Sequence, residues 1–426
     1  MSVSTNRTFF RRLRANGNAF GMLITEPMFG IPFNLYTPYF SLYMAQLGCS
    51  PKQIGLLTTV SILGQFFFTL IASPITDRFG RRYTTLVMDI LSWSVAVLIW
   101  LFAQSFVWFL VAAIIQVANR IVFVSWTCLM VEDTEKDLLV PIFSWITVAG
   151  LLSGFFSPVA AVFVAKYQVV PTLRVLFAIS FVLFTAMFFI RNALVKETSV
   201  GRARMELSRK EPVFKQFHGL WLTVGEVWRN PGTRFMFILT AVYNMAITVR
   251  APFFALLLSD AFGFGDSAVG YFAMGTSVIM LTVYLFVQPR ITNILPKLPL
   301  SVGMVLLVAG SLVLVPVFPG RSMALAMVLL SVVLTSVGSA VAQPFIDGLG
   351  HGSMNNDNRS HMTSILYMMT LLASAIFGFL GGVWYEKSAA LPFLAAAALY
   401  GVCVVLLAVH FRRRPAQQGD GVNEHR

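Results

Sequence analysis

Long apolar runs dominate the chain, and short polar gaps separate them. Crossing about 30 Å of hydrocarbon as a helix takes about 20 residues. Runs of that length lie near 19–47, 54–76, 83–104, 106–131, 141–166, 171–191, 234–261, 267–289, 299–318, 322–346, 362–386 and 389–411. The pattern predicts an all-α membrane protein with twelve transmembrane helices, spans 1 to 12. The first run far exceeds a signal-peptide core of about 7–15 residues, so it reads as a retained helix. Most gaps are short. The exception, 192–233, is polar, basic and central. It divides the chain into a tail (1–18), a first six-helix bundle (19–191), the linker (192–233), a second bundle (234–411) and a closing tail (412–426).

Composition agrees with this pattern. Of 426 residues, 57% are hydrophobic and 12% charged, and the mean hydropathy is +0.76. A soluble domain carries roughly 25% charged residues, so there are too few here to coat a soluble surface. The net charge of +13 does not point to nucleic acid, because the basic residues sit in short gaps rather than on a basic helix face. Cys49, Cys128 and Cys403 are scattered and read as small apolar packing residues. If the N-terminus is cytoplasmic, 24 of the 31 Lys and Arg fall in inner segments and 5 in outer gaps. That asymmetry predicts a multi-pass protein of the cell membrane with both termini cytoplasmic.

The two bundles read as copies. "PYFSLYMAQLGCSPKQIGLL" (38–57) parallels "PFFALLLSDAFGFGDSAVGYF" (252–272). Pro38 matches Pro252 at an offset of 214, and Gly48 and Gly55 match Gly263 and Gly270 at 215. "PITD" (74–77) has a weak echo in "PRITN" (289–293). A parallel repeat of a whole six-helix unit suggests a transporter with its site between the halves.

"SPITDRFGRRYTTL" (73–86) then becomes informative. It resembles the signature between helices 2 and 3 of the major facilitator superfamily, G-x-L-a-D-r-x-G-r-[rk]-x-x-l. Asp77, Arg78, Gly80, Arg81, Arg82 and Leu86 match in place, while Ser73 and Ile75 depart from it. "LGCSPKQIGLL" (47–57) is also similar to that family's entry into helix 2. Physically, Gly80 permits a tight turn at positive φ. The arginines suit the inner membrane edge. Asp77 can face a helix N-terminus or pair with a basic group. The resemblance implies that Asp77 belongs to an inner latch holding the halves closed on the cytoplasmic side. The second half has Asn293 at the matching place, so the latch is expected to be asymmetric. The resemblance also implies that spans 1, 4, 7 and 10 line a cavity and that 3, 6, 9 and 12 sit outside.

Ionisable groups within membrane spans are functional candidates by default. Glu26, Asp89, Arg120 and Arg250 lie in spans, with Glu132, Asp133 and Asp347 at inner ends. Glu26 heads a stripe with Gly30, Asn34, Thr37 and Ser41, and Thr240, Asn244 and Thr248 repeat it on span 7 at an offset of 214. Span 4 carries Gln116, Arg120, Phe123 and Thr127 on one face. Spans 8, 10 and 11 add Tyr284, Gln343 and Tyr367, and Tyr36 could join an aromatic wall with Trp126 and Trp145. Glu26 is the candidate proton carrier, since a carboxylate in an apolar bundle can gain and lose a proton as its surroundings change. Arg120 is its expected partner; a static ion pair is the plainer reading of both. Arg250 is a candidate outer gate or a snorkelling anchor. Asp89 is expected to be a fixed partner of the loop arginines. "HGSMNNDNRSH" (351–361) reads as a loop.

Span 5 holds Gly150, Gly154 and Pro158, a partial match to a motif of the family's exporters that generic close packing also explains. The resulting expectation is a secondary active transporter, with proton-coupled export of an amphipathic compound as its favoured form. Its expected partners are a small-molecule substrate, protons and membrane lipids, with no nucleic acid, and the chain acts as a monomer. An importer or uniporter of a small metabolite is the first alternative. A non-transporting sensor or scaffold is the second. No metal-ligand cluster, nucleotide loop or nucleophile triad appears in the sequence, so neither an enzyme nor a cofactor is expected.

Overall fold

The computed structural model describes residues 12–14, 16–208, 225, 228–291, 294–316, 321–352 and 359–412. All regular structure among them is helical. We label the helices α1 (17–46), α2 (Pro51–Phe79), α3 (Arg81–Phe102), α4 (Phe106–Val131), α5 (136–167), α6 (Val169–Leu194), α7 (Ser199–Ser208), α8 (Pro231–Ala261), α9 (Ala268–Ile291), α10 (Lys297–Leu312), α11 (Arg321–Gly352), α12 (Arg359–Lys387) and α13 (Leu391–Arg412). Ten helices among the described residues are long and apolar enough to cross a membrane. The apolar runs of spans 1 and 9 are occupied by α1, which is interrupted by a 3₁₀ turn, and by the shorter α10. Large apolar side chains such as Phe67, Phe102, Val182 and Val405 stay exposed, as a lipid-facing surface requires.

Local chemistry sets the helix ends. Ser50 and Gln53 form a reciprocal capping box at the start of α2, with Pro51 in the first turn. Asn16 caps α1 through the Ala19 N–H. Asn230 caps α8 through Gly232 and Thr233, again before a proline. The central segment is not wholly irregular, because Ser199–Ser208 is helical; residues 209–224 and 226–227 lie outside the described residues. In 351–361, expected to be a loop, α11 runs to Gly352 and α12 starts at Arg359, and residues 353–358 lie outside the described residues.

The repeat is visible in the backbone. A 3₁₀ turn interrupts α1 at Thr37–Tyr39 and α8 at Ala251–Phe253, each around its proline, 214 residues apart. Gly48 (φ 87°) and Gly263 (φ 64°) then turn the chain in the left-handed region at an offset of 215. The one-residue slip has a visible cause. Leu257–Ala261 forms a π-helical turn in α8, whereas Phe40–Gln46 of α1 is regular α-helix. A π turn absorbs one inserted residue without ending the helix.

The other repeated glycines sit where the two halves of the chain meet. A Cβ on Gly55 of α2 would collide with the Gly378 carbonyl oxygen and lie 3.1 Å from the Gly382 Cα, both on α12. A Cβ on Gly270 of α9 would collide with the Tyr39 hydroxyl and lie 2.8 Å from the Ser157 carbonyl of α5. Small residues here let backbones approach closely. Hydrogen bonds across the seam gather at the same level. Tyr39 donates to the Ser267 carbonyl (3.3 Å) and accepts from the Gly270 N–H (3.0 Å). Gln46 donates to Asp266 (2.8 Å), and the Lys52 N–H donates to Glu386 (3.1 Å). Thr59 donates to the Ala375 carbonyl (2.6 Å) and accepts from the Phe379 N–H (2.9 Å). This is the face opposite the one that carries α7 and the ends of the described chain.

Spans 9 and 12 are expected to sit outside, and each has an exposed apolar face as well as a buried one. In the structure, α10 and α13 each bury one face: Leu300, Met304 and Leu307 on α10, and Phe393, Tyr400 and Cys403 on α13. Only the other face, with Val302 and Val305 or Val402 and Val405, is exposed. Uniform hydrophobicity hides this division, because periodicity cannot distinguish lipid from protein as the apolar partner.

Candidate functional site

The charges of the first half converge on one cavity. It has a volume of about 260 Å³ and lies among α1, α3, α4 and α6. Glu26, Asp89, Arg120 and Arg191 line it together with Phe29, Trp93, Trp126 and Phe188. Two carboxylates and two guanidiniums thus share an aromatic chamber. The aromatic walls are held by ring packing: Phe29 meets Trp93 at 4.9 Å and Phe184 at 4.8 Å between centroids.

The four charges are not equivalent. Asp89 and Arg191 form an ion pair, with side chains 3% and 5% exposed. Such a pair is matched in charge, and removing one member would strand the other. Glu26 shares the cavity wall with Trp126 and interacts electrostatically with Arg191. Arg120 stands apart. Its Nε and Nη2 both donate to Gln65 Oε1 of α2, at 2.7 and 2.5 Å. Its guanidinium lies 4.7 Å over the Tyr367 ring of α12 and 5.8 Å over Phe123.

Two expectations change here. Glu26 and Arg120 share a cavity, yet the arginine beside Glu26 is Arg191. The predicted end of span 6 at residue 191 placed Arg191 among the inner-face charges, but α6 continues to Leu194 and carries it inside. Asp89 pairs with Arg191 and not with the loop arginines, since it lies two turns into α3 and faces α6. Gln65 is absent from the sequence-based candidates. A lone amide in the apolar run "SILGQFFFTL" is its only signal.

The polar stripes have a more modest placement. Asn34 donates to the Gly30 carbonyl and Asn244 to the Thr240 carbonyl, both at 2.8 Å, so each amide is turned toward its own helix. Gly30 lies against Ser153 of α5, and a Cβ there would come within 2.6 Å of the Ser153 hydroxyl. Thr37, exposed, and Thr127, half-buried, donate to the carbonyls of Phe33 and Phe123. Gln116 and Thr248 are half-buried, Gln116 at the end of the segment Phe106–Gln116 where α4 is interrupted. Tyr36 is 2% exposed, with its ring 5.2 Å from Phe177 and 6.0 Å from Trp100. It belongs to the core of the first half and to no accessible wall. Tyr284 packs at the edge of the cluster formed by Val283 with Ala340 and Val341 of α11. Gln343 donates to Asp347 at 2.9 Å. Arg250 donates to Ser311 of α10 at 3.4 Å and interacts with Tyr400 of α13. It ties three second-half helices together and spans no gap between the halves, so the gate and snorkelling expectations both give way to a packing role.

At the end of the first half that carries α7, the Asp77 motif forms a compact ionic knot. Gly80 adopts φ 83°, as its turn requires. Asp77 pairs with Arg81 at 2.9 Å, and Arg81 Nη2 pairs with Glu132 of α4 at 3.1 Å. Glu197, just before α7, accepts from the N–H groups of Arg81 (3.0 Å) and Arg82 (2.9 Å) and so caps α3. Arg82 donates to the Asn192 carbonyl at 3.0 Å. The expectation puts all three arginines at the membrane edge. Arg81 is 3% exposed and Arg82 is bonded, and only Arg78 is exposed. The helix N-terminus that Asp77 could have served is taken by Glu197. Asn293, the expected second-half counterpart of Asp77, lies outside the described residues.

The family profile described as Major Facilitator Superfamily matches residues 22–355 and 236–425. Curated protein sequences gave no significant match. An auto-inhibited POT family peptide transporter superposes with a TM-score of 0.71 at 10% identity, over 95% of this chain and 98% of the other. The nucleoside transporter NupG gives 0.64 at 12% identity, over 93% and 98%. The human organic anion transporter MFSD10 (TETRAN) gives 0.60 at 16% identity, over 93% and 99%. At these identities the likeness is one of fold.

Proposed function

The chain belongs to the Major Facilitator Superfamily, and from that premise we propose that it is a secondary active transporter working by alternating access. Its twelve spans form two six-helix bundles, 19–191 and 234–411, joined by a cytoplasmic linker. With both termini in the cytoplasm, the closed seam at Tyr39, Gln46, Lys52 and Thr59 is the outer one. The described state is therefore closed to the outside. The knot of Asp77, Arg81 and Glu132 stays within the first half in this state, ready to engage when the inner side closes.

The observation that carries the reading is the four-charge cavity. A buried carboxylate beside a buried guanidinium costs too much to serve as lipid-facing packing. Glu26 is the proton carrier in this scheme, with Arg191 rather than Arg120 as the neighbour that senses its charge. The substrate is an amphipathic small molecule, which the aromatic walls suit. Gly150, Gly154 and Pro158 on α5 lean the direction toward export. The nucleoside and peptide transporters among the structural neighbours favour a second reading, an importer or uniporter of a small metabolite.

Glu26→Gln in reconstituted vesicles tests the coupling. Flux driven by a pH gradient should vanish, while expression and the thermal midpoint stay close to wild type. A variant whose flux keeps the wild-type pH dependence would overturn the role of Glu26.

A further inference from the structure

The cavity is neutral in sum but not in distribution. Asp89 and Arg191 neutralise each other, and Glu26 has Arg191 and Trp126. Arg120 has no carboxylate partner among the described residues; its neighbours are the Gln65 amide, the Tyr367 phenol and two ring faces. A guanidinium offers five N–H donors in a planar fork. Its Nε and Nη2 donors converge on the same Gln65 oxygen, so the fork lacks a matching pair of acceptors. A neutral amide is a weak counter-charge for a cation held in an apolar bundle.

Its surroundings fit a flat partner. Phe123 is 60% exposed and lies beside the guanidinium, and Trp126 and Trp93 continue the wall inward. Arg120 also touches Tyr367, across the seam between the halves. A group bound at Arg120 would therefore sit where the cavity of the first half meets the second half.

We propose that Arg120 is the substrate-recognition residue, and that the substrate is an organic anion with a flat apolar body, such as an aromatic carboxylate. Its carboxylate takes the guanidinium fork in two parallel N–H···O bonds and displaces the Gln65 amide. Its body lies against Phe123 and Trp126. This inference rests on the transporter reading and narrows its amphipathic compound to an anion. It also moves Arg120 from proton coupling to ligand binding, which leaves Glu26 and Arg191 as the coupling pair.

Three probes share one ring system and differ in charge: indole-3-acetate (anion), tryptophol (neutral) and tryptamine (cation). Binding to the purified full chain is measured by titration calorimetry, and flux is measured in vesicles. Indole-3-acetate should bind at least about tenfold tighter than either analogue, the range of a charge-assisted hydrogen-bonded pair. Arg120→Gln should erase that preference. Arg120→Lys keeps the charge but loses the fork, and should retain part of it. The ligand-free thermal midpoint of both variants identifies a fold defect, and either folded variant alone decides the matter. Tryptamine binding as tightly as the anion, no binding by any probe, or an undiminished anion preference in a folded variant would each overturn the proposal. The arms also separate this inference from its premise. Flux of tryptamine without indole-3-acetate discards the anion and keeps the transporter. Anion binding without flux of any probe discards the transporter and keeps the anion site.

Discussion

Helices α1 and α8 break at the same repeat position, around Pro38 and Pro252, and turn at Gly48 and Gly263 in the same frame. Their chemistry diverges. The first half gathers Glu26, Asp89, Arg120 and Arg191 around one cavity, with Asp89 and Arg191 buried and the other two half-buried. At the position of Glu26 the second half has Thr240, and its Arg250 meets a serine hydroxyl at 3.4 Å. On the transporter reading proposed above, backbone features repeat because both halves would rock against each other with the same geometry. Charges do not repeat because each costs desolvation and is kept only where it has work to perform. A duplicated fold thus separates its mechanical parts from its chemical ones.

Breaking the chemical side should have the largest effect on stability. Asp89→Asn removes the ion-pair partner of Arg191 and leaves Glu26 as its remaining carboxylate neighbour in the core of the first half, and should cost about 2 kcal/mol. Arg250→Gln removes a charge with only neutral partners nearby and should cost about 1 kcal/mol. Thermal or denaturant unfolding of the purified variants gives both values. The double variant Asp89→Asn/Arg191→Gln should recover much of the loss. An Asp89→Asn variant no less stable than Arg250→Gln would remove the asymmetry between the halves.

The seam glycines test the mechanical side. Gly55→Val and Gly270→Val each place branched bulk against backbone or hydroxyl oxygens of the other half. Both should shift the protein away from the outer-closed state. Spin-label distances across the seam should lengthen in both variants, with the folded population preserved. If only one variant moves, the two glycines are not mechanical equivalents.

What can be read from the sequence divides along the same line. Membrane-crossing helices and the repeat are legible because apolar runs and proline or glycine frames are local signals. The seam is half legible: Gly55 and Gly270 stand out by offset, but their contacts with α12 and α5 are long-range. The charge pairing is not legible. Residue 191 looks like a helix end, and a three-residue error in that boundary conceals the ion pair with Asp89. Arg120 is visible as a buried charge, yet choosing among Glu26, Gln65 and Tyr367 requires knowing how α2 and α12 cross it. The motif 73–86 shows its glycine turn but not Glu197, which arrives from 117 residues beyond Gly80 to cap α3.

The smallest effect is the sharpest test of the repeat. Gly48 and Gly263 hold φ values of 87° and 64°, where a Cβ crowds the backbone. Space is not limiting, since nothing lies within 4 Å of the place a methyl group would occupy on either glycine. Alanine at each should therefore cost about 1 kcal/mol from backbone strain alone. Because the helical segments leading into the two turns differ by the residue that the π turn at Leu257–Ala261 absorbs, their surroundings are not identical. If the turn is the repeated unit, Gly48→Ala and Gly263→Ala should match within about 0.5 kcal/mol and add in the double variant, as distant independent sites do. A cost confined to Gly48 would mean that the π turn relieves the strain at Gly263. The repeat would then be conserved in position but not in mechanics.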